Sequence, residues 1–301
     1  MKSAEIGQTP RPLAESDPVG AALWMIGAIV SFTSMAVAGR AVSFELDTFE
    51  IMMYRSFLGV GVVLSVTVLS GRTREITRRS LGVHLVRNIS HFAGQNFWFY
   101  AITVIPLAQV FALEFTTPIW ATLLAVIVLG EKLTRTRLIA SFVGFIGILI
   151  VTRPWASGIS PGIVTAALAA IGFAGSAVYT RLLTRTETIL CILFWLTVMQ
   201  AVFGIICAGY DGDIATPSAQ SLPWIVLIGF AGLVAHFCLT KALSLAPAAV
   251  VTPIDFARLP VIAIVGSLLY GESIQMATLL GALLIFASNY FNILNETRRK
   301  R

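Results

Sequence analysis

Five ionisable side chains sit inside stretches that are otherwise apolar: Arg55, Arg87, Glu114, Asp255 and Arg258. A charge in hydrocarbon costs at least about 2.5–3.5 kcal/mol, so each must meet a partner, a water-filled cavity or a ligand. The chemistry open to them is ion pairing, recognition of a charged ligand, or proton transfer. His84, Arg87 and His91 recur at i, i+3 and i+7, one face of a helix, and Gln95 and Tyr100 extend the polar character. Such a stripe must face protein or water. His84, near the end of its run, reads as an interfacial residue. His91 and His236 lie deeper and are candidates for cavity lining or proton relay. The three histidines are not spaced as a metal site. Cys191, Cys207 and Cys238 lie in apolar runs without pair or ligand spacing, so neither metal nor redox chemistry is expected.

What positions these residues is a set of membrane helices. Of 301 residues, 57% are hydrophobic and 12% charged, about half the charge of a soluble domain. Apolar runs of spanning length fall near 19–38, 49–70, 81–103, 107–129, 136–152, 161–180, 188–209, 223–244, 247–270 and 275–294. The first is longer than a signal-peptide core and is read as a helix, not a leader. Residues 1–18 read as a tail and 295–301 as a second, basic one. With the N-terminus inside, 16 of the 21 Lys and Arg fall in cytoplasmic segments and only Arg40 and Arg153 outside. That asymmetry predicts that both termini are cytoplasmic. The net charge of +6 is spread over short loops and makes no nucleic-acid patch.

The two halves repeat. At an offset of 141 residues, Ala101, Pro106, Ala108 and Val110 match Ala242, Pro247, Ala249 and Val251. The same offset pairs Glu114 with Asp255, Gly130 with Gly271, Glu131 with Glu272, and Arg40 with Arg181. Five helices per half is an odd number, so the halves, 19–152 and 161–294, cross the membrane in opposite senses. The fold class is therefore all-α, ten transmembrane helices as two inverted five-helix repeats around a central cavity, the architecture of secondary transporters.

The stretches IPLAQV…TTPIWATLLAVIVLGEKLT and APAAVV…LPVIAIVGSLLYGESIQ, each a proline-initiated helix ending in Gly-Glu, resemble the EamA type of the drug/metabolite transporter superfamily over residues 19–294. The resemblance implies a cavity lined chiefly by helices 1, 3, 4, 6, 8 and 9. It implies a small organic substrate but not which one: members move amino acids, riboflavin, S-adenosylmethionine or sugars, inward or outward.

Depth along the helices pairs Arg55 with Glu114, and Arg87 with Asp255, while Arg258 is one turn from Asp255 on the same face. These are read either as structural ion pairs or as substrate and coupling groups. Phe97, Trp98, Phe99 and Tyr100 read mostly as an interfacial belt, with Tyr100, Phe115 and Trp120 as candidate cavity aromatics. Pro118, Pro253 and Pro260 interrupt helices 4 and 9 and are candidate hinges. The one net positive charge within the spans favours a zwitterionic or anionic ligand, amino-acid-like or riboflavin-like. Enzyme signatures such as G-x-S-x-G or H-E-x-x-H are absent, and no nucleotide or cofactor motif is present. Energy is expected from a proton or substrate gradient. The chain is therefore read as a transporter in a bacterial inner membrane, monomer or homodimer. Its alternatives are a drug exporter of the same fold and a passive channel.

Overall fold

A computed structural model of the protein describes residues 17–130, 134–153, 155, 158–246 and 248–299. Glu131, Lys132 and Pro247, which the repeat and the charge count invoke, lie outside these, as do residues 1–16. The helices are α1 (Pro18–Val42), α2 (Thr48–Leu69), α3 (Leu81–Val104), α4 (Leu107–Glu114), α5 (Thr117–Leu129) and α6 (Arg135–Thr152) in the first half. The second half holds α7 (Pro161–Leu183), α8 (Ile189–Ala208), α9 (Leu222–Leu245), α10 (Ala248–Asp255), α11 (Arg258–Tyr270) and α12 (Met276–Arg299).

Local sequence sets these boundaries. Asp47 and Glu50 form a reciprocal capping box at the start of α2. Ser160 caps α7 with Pro161 in its first turn, and Thr188 caps α8. Gly130 and Gly271, equivalent in the repeat, end α5 and α11 in the left-handed region at φ 67° and 64°, which a side chain disfavours.

Eight helices are long and apolar enough to cross a membrane, counting α4 and α5 as one. The other two crossings are α3 and the α10–α11 pair. α3 has the length, 24 residues, but falls short in apolar character because His84, Arg87, Asn88, His91, Gln95 and Asn96 are all buried along it. Enclosure by other helices is what makes that face tolerable. Exposed apolar side chains such as Ile127, Phe142, Leu268 and Leu283 form the lipid-facing exterior.

The packing obeys the repeat. The most extensive contacts are α1 with α9 and α3 with α7, and exchanging the halves turns one pair into the other. The next, α6 with α12 and α2 with α8, map onto themselves. On α7 the small-residue face of Gly162, Ala166, Ala170 and Ala174 is buried. At the α3–α7 crossing, a Cβ on Gly172 would lie 2.7 Å from Gly94 Cα and 2.8 Å from the Ser90 carbonyl. Gly172→Ala is therefore expected to cost about 1–3 kcal/mol, read as a lowered thermal midpoint in detergent. Gly82→Ala, with nothing within 4 Å of the new methyl, provides the control.

Candidate functional site

The fourth and ninth crossings are each built from two half-helices. Pro118 lacks the N–H that would bond the Glu114 carbonyl, so α4 ends at Glu114 and α5 begins at Thr117. Thr117 Oγ1 donates to that freed carbonyl at 2.6 Å, and Asn289 Nδ2 to the Phe115 carbonyl at 2.9 Å. In the second half Pro260 leaves the Phe256 carbonyl without its usual partner, and the Leu259 N–H takes it at 3.1 Å. The two breaks, at 115–116 and 256–257, are 141 residues apart. Helix α10 runs through Pro253 without interruption, so this expected hinge is not where the crossing breaks.

Each first half-helix ends on an acid, and the two acids converge on one cation. Arg258 NH1 lies 3.1 Å from Glu114 Oε1 and its NH2 3.4 Å from Asp255 Oδ2. The guanidinium carbon sits over the rings of Phe32, Phe115 and Phe111, at 4.6, 5.0 and 5.2 Å. Trp98 Nε1 donates to Glu114 Oε2 at 2.8 Å, and Phe115 stacks on Phe256 at 4.5 Å.

Sequence depth had paired Arg55 with Glu114 and Arg87 with Asp255; the structure pairs neither. Arg55 donates to Gln95, and Arg87 donates to Thr180 Oγ1 at 3.1 Å and Asn88 Oδ1 at 3.0 Å. Neither has an acidic partner among the described residues. Depth alone does not fix which way a helix is turned about its axis, and it is the rotation that gives both acids to Arg258.

Two adjoining lobes, of about 390 and 670 Å³, fill the centre of the bundle and share Arg87, His91, Thr180, Thr184 and His236. The larger is lined by α1, α3, the α4–α5 and α10–α11 crossings, α7 and α9, the six crossings that the resemblance implied. The smaller adds α2 and α8, and with them Arg55. Glu114, Asp255, Arg258, Arg87, His91, His236, Arg55, Phe115 and Pro118 therefore all line the cavity. His91 Nδ1 is 3.4 Å from Ser176 Oγ, and His236 packs edge-on to Phe32.

Two expected cavity aromatics do not line it. Tyr100 is 41% exposed at the far end of α3. Trp120 bonds Thr116 Oγ1 at 3.1 Å and packs against Phe145 instead. Trp98, taken for part of an interfacial belt, is 2% exposed and lines the cavity, as do Phe32 and Phe173. The signal for Trp98 was its spacing of one heptad from His91, on the same polar face.

The cavity is closed on one side and reaches the surface on the other. On the face away from the termini, Arg40 pairs with Glu272 and also donates to the Ile102 and Ile105 carbonyls, while Glu272 accepts from the Leu107 N–H at 2.9 Å. This cluster joins the ends of α1, α3 and α11 over buried Phe99 and Phe111. Toward the termini the lining includes the exposed residues Arg181 and Thr184.

The model of the EamA-like transporter family matches residues 19–153 and again 160–294, one copy on each five-crossing half. The chain belongs to this family. An S-adenosylmethionine uptake transporter of Rickettsia conorii is 28% identical to the EamA-like chain over 275 residues, 91% of it and 92% of the relative. A riboflavin transporter of Brucella anthropi is 30% identical over 255 residues, 83% and 89% of the two proteins. A crystal structure 18% identical in sequence shares the fold, with a TM-score of 0.63 over 94% of this chain and 98% of that one. This EamA-like chain is a transporter of a small metabolite.

Proposed function

We propose that the protein is a secondary carrier working by alternating access and taking a zwitterionic metabolite with a flat ring. The observation that carries this is the division of charge in one cavity. Arg87 and Arg55 face it with only neutral hydrogen-bond partners, whereas Glu114, Asp255 and Arg258 form a group with one net negative charge beside Phe115 and Trp98. A ligand carboxylate meets Arg87, its cationic part meets the acid pair, and its ring lies against the aromatics. The substrates named for the two relatives both contain a flat nitrogen heterocycle, and the uptake named for one supports inward movement. Glu114 and Asp255 are also the groups through which a proton gradient would act.

The Lys and Arg count places the termini face in the cytoplasm of a bacterial inner membrane. The structure then represents a carrier open inward. Arg87→Gln is expected to weaken binding of a carboxylate-bearing substrate by about 1–3 kcal/mol. An analogue lacking the carboxylate should bind both proteins alike. Measuring both ligands against both proteins closes a double cycle, and zero coupling returns Arg87 to a purely structural role.

A further inference from the structure

Away from the cavity, on the termini face, three side chains from distant parts of the chain meet. His84 lies in the first turn of α3, Cys191 in the first turn of α8, and Glu187 in the turn between α7 and α8. One donor atom from each falls within 4.8 Å of the other two, and all three residues are buried. His84 is 0% exposed, yet neither of its ring nitrogens has a hydrogen-bond partner. Glu187 Oε1 also has none. Buried polar atoms left in this state are costly, and two of them facing a thiol call for a ligand.

We infer that His84, Glu187 and Cys191 form a site for one divalent transition metal of the zinc class. Imidazole nitrogen, thiolate and carboxylate are the donor types that zinc takes, and three protein ligands leave a fourth position for water. A thiolate and a carboxylate together neutralise a divalent ion, so the buried complex carries no net charge. The surroundings are already arranged for it. Thr77 Oγ1 holds Glu187 Oε2 at 2.7 Å, orienting the carboxylate. The Thr77 N–H points at Cys191 Sγ at 3.4 Å, a contact that favours thiolate, and Trp195 Nε1 fixes the Thr77 carbonyl at 2.7 Å. Zinc ligands at bonds of about 2.0–2.3 Å stand about 3.3–3.7 Å apart, so small side-chain rotations close the site. Thr186 and Thr188 beside it are exposed, which provides a path of entry. Bound metal ties the loop carrying Thr77, the start of α3 and the α7–α8 turn together, one helical turn from Arg87.

The test uses the full chain purified in detergent, stripped with chelator and then given zinc chloride alone. One zinc per chain should survive gel filtration, raise the thermal midpoint, and show a sulfur scatterer in its X-ray absorption spectrum. Cys191→Ser and Glu187→Gln, both nearly isosteric, should weaken zinc binding at least about tenfold. Cobalt in place of zinc should give a thiolate charge-transfer band that Cys191→Ser abolishes. A wild-type protein that retains no zinc, or retains it without sulfur coordination, overturns the site. The trio is then a buried His84–Glu187 hydrogen bond reached by side-chain rotation. Retention unchanged in both variants overturns it as well.

Discussion

Replacing Arg258 with glutamine is expected to destabilise the folded transporter by about 3–5 kcal/mol, the scale for removing one partner of a buried ion pair. Arg258 is 5% exposed and holds Glu114 and Asp255 on either side of itself. Those two acids end half-helices that were brought together by the two proline breaks. Without the guanidinium they face each other as like charges in a poorly hydrated place. Lysine is a poor substitute, because a single ammonium does not reproduce the planar fork that reaches two carboxylates and stacks on Phe32 and Phe115. The triple change Glu114→Gln, Asp255→Asn and Arg258→Gln removes all three charges together, and its thermal midpoint should return most of the way to wild type. Transport should not return, since the acid pair is proposed to meet the substrate. Thermal unfolding in detergent reads the first outcome. A loss below about 1 kcal/mol for Arg258→Gln would mean that the cavity hydrates the acids well enough to do without it.

Arg40→Gln should shift the carrier toward its outward-open state by about 100-fold. Arg40 joins Glu272, the Ile102 carbonyl and the Ile105 carbonyl, so it holds together three crossings that must part for the outer side to open. The side chains of Arg40 and Glu272 are 12% and 14% exposed, and breaking such a pair from one side costs about 3 kcal/mol. That cost falls on the outer-closed state alone. Reaction of a Gln95→Cys reporter in the cavity with an impermeant thiol reagent added from outside measures the shift. The rate should rise strongly in Arg40→Gln and in Glu272→Gln. An unchanged rate in both would reduce the cluster to a cap for the end of α3.

How much of this was legible in the sequence depended on whether the signal was local or repeated. Glu114 and Asp255 stood out because the 141-residue offset joined them, and both lie at helix breaks in the structure. Gly130 and Gly271 were found in the same way, and both take the backbone conformation that favours glycine. Pro118 and Pro260 announced the breaks, though the helices part three to four residues before each ring, at the carbonyl that the proline leaves unbonded. Pro253 carried the same signal without that consequence. The partners of Arg258, Arg55 and Arg87 were not legible, because membrane depth follows from counting residues but helix rotation follows from packing. Trp98 resembled a belt residue by position, and only the enclosure of α3 on all sides turned it inward. The His84–Glu187–Cys191 cluster joins segments more than 100 residues apart and leaves no spacing pattern to read.

The central claim is that a substrate crosses by alternate opening of two sides around one cavity, and counterflow in proteoliposomes tests it most directly. Vesicles containing Arg40→Cys/Glu272→Cys protein are loaded with unlabelled substrate, drawn from S-adenosylmethionine, riboflavin and amino acids, and labelled substrate is added outside. Before treatment, uptake of label should be saturable and should overshoot. A reducible bis-thiol cross-linker bridging residues 40 and 272 should abolish it, and reduction should restore it. Flux that is non-saturable, or that continues at the same rate across the cross-linked outer face, would contradict the carrier and leave a passive pore.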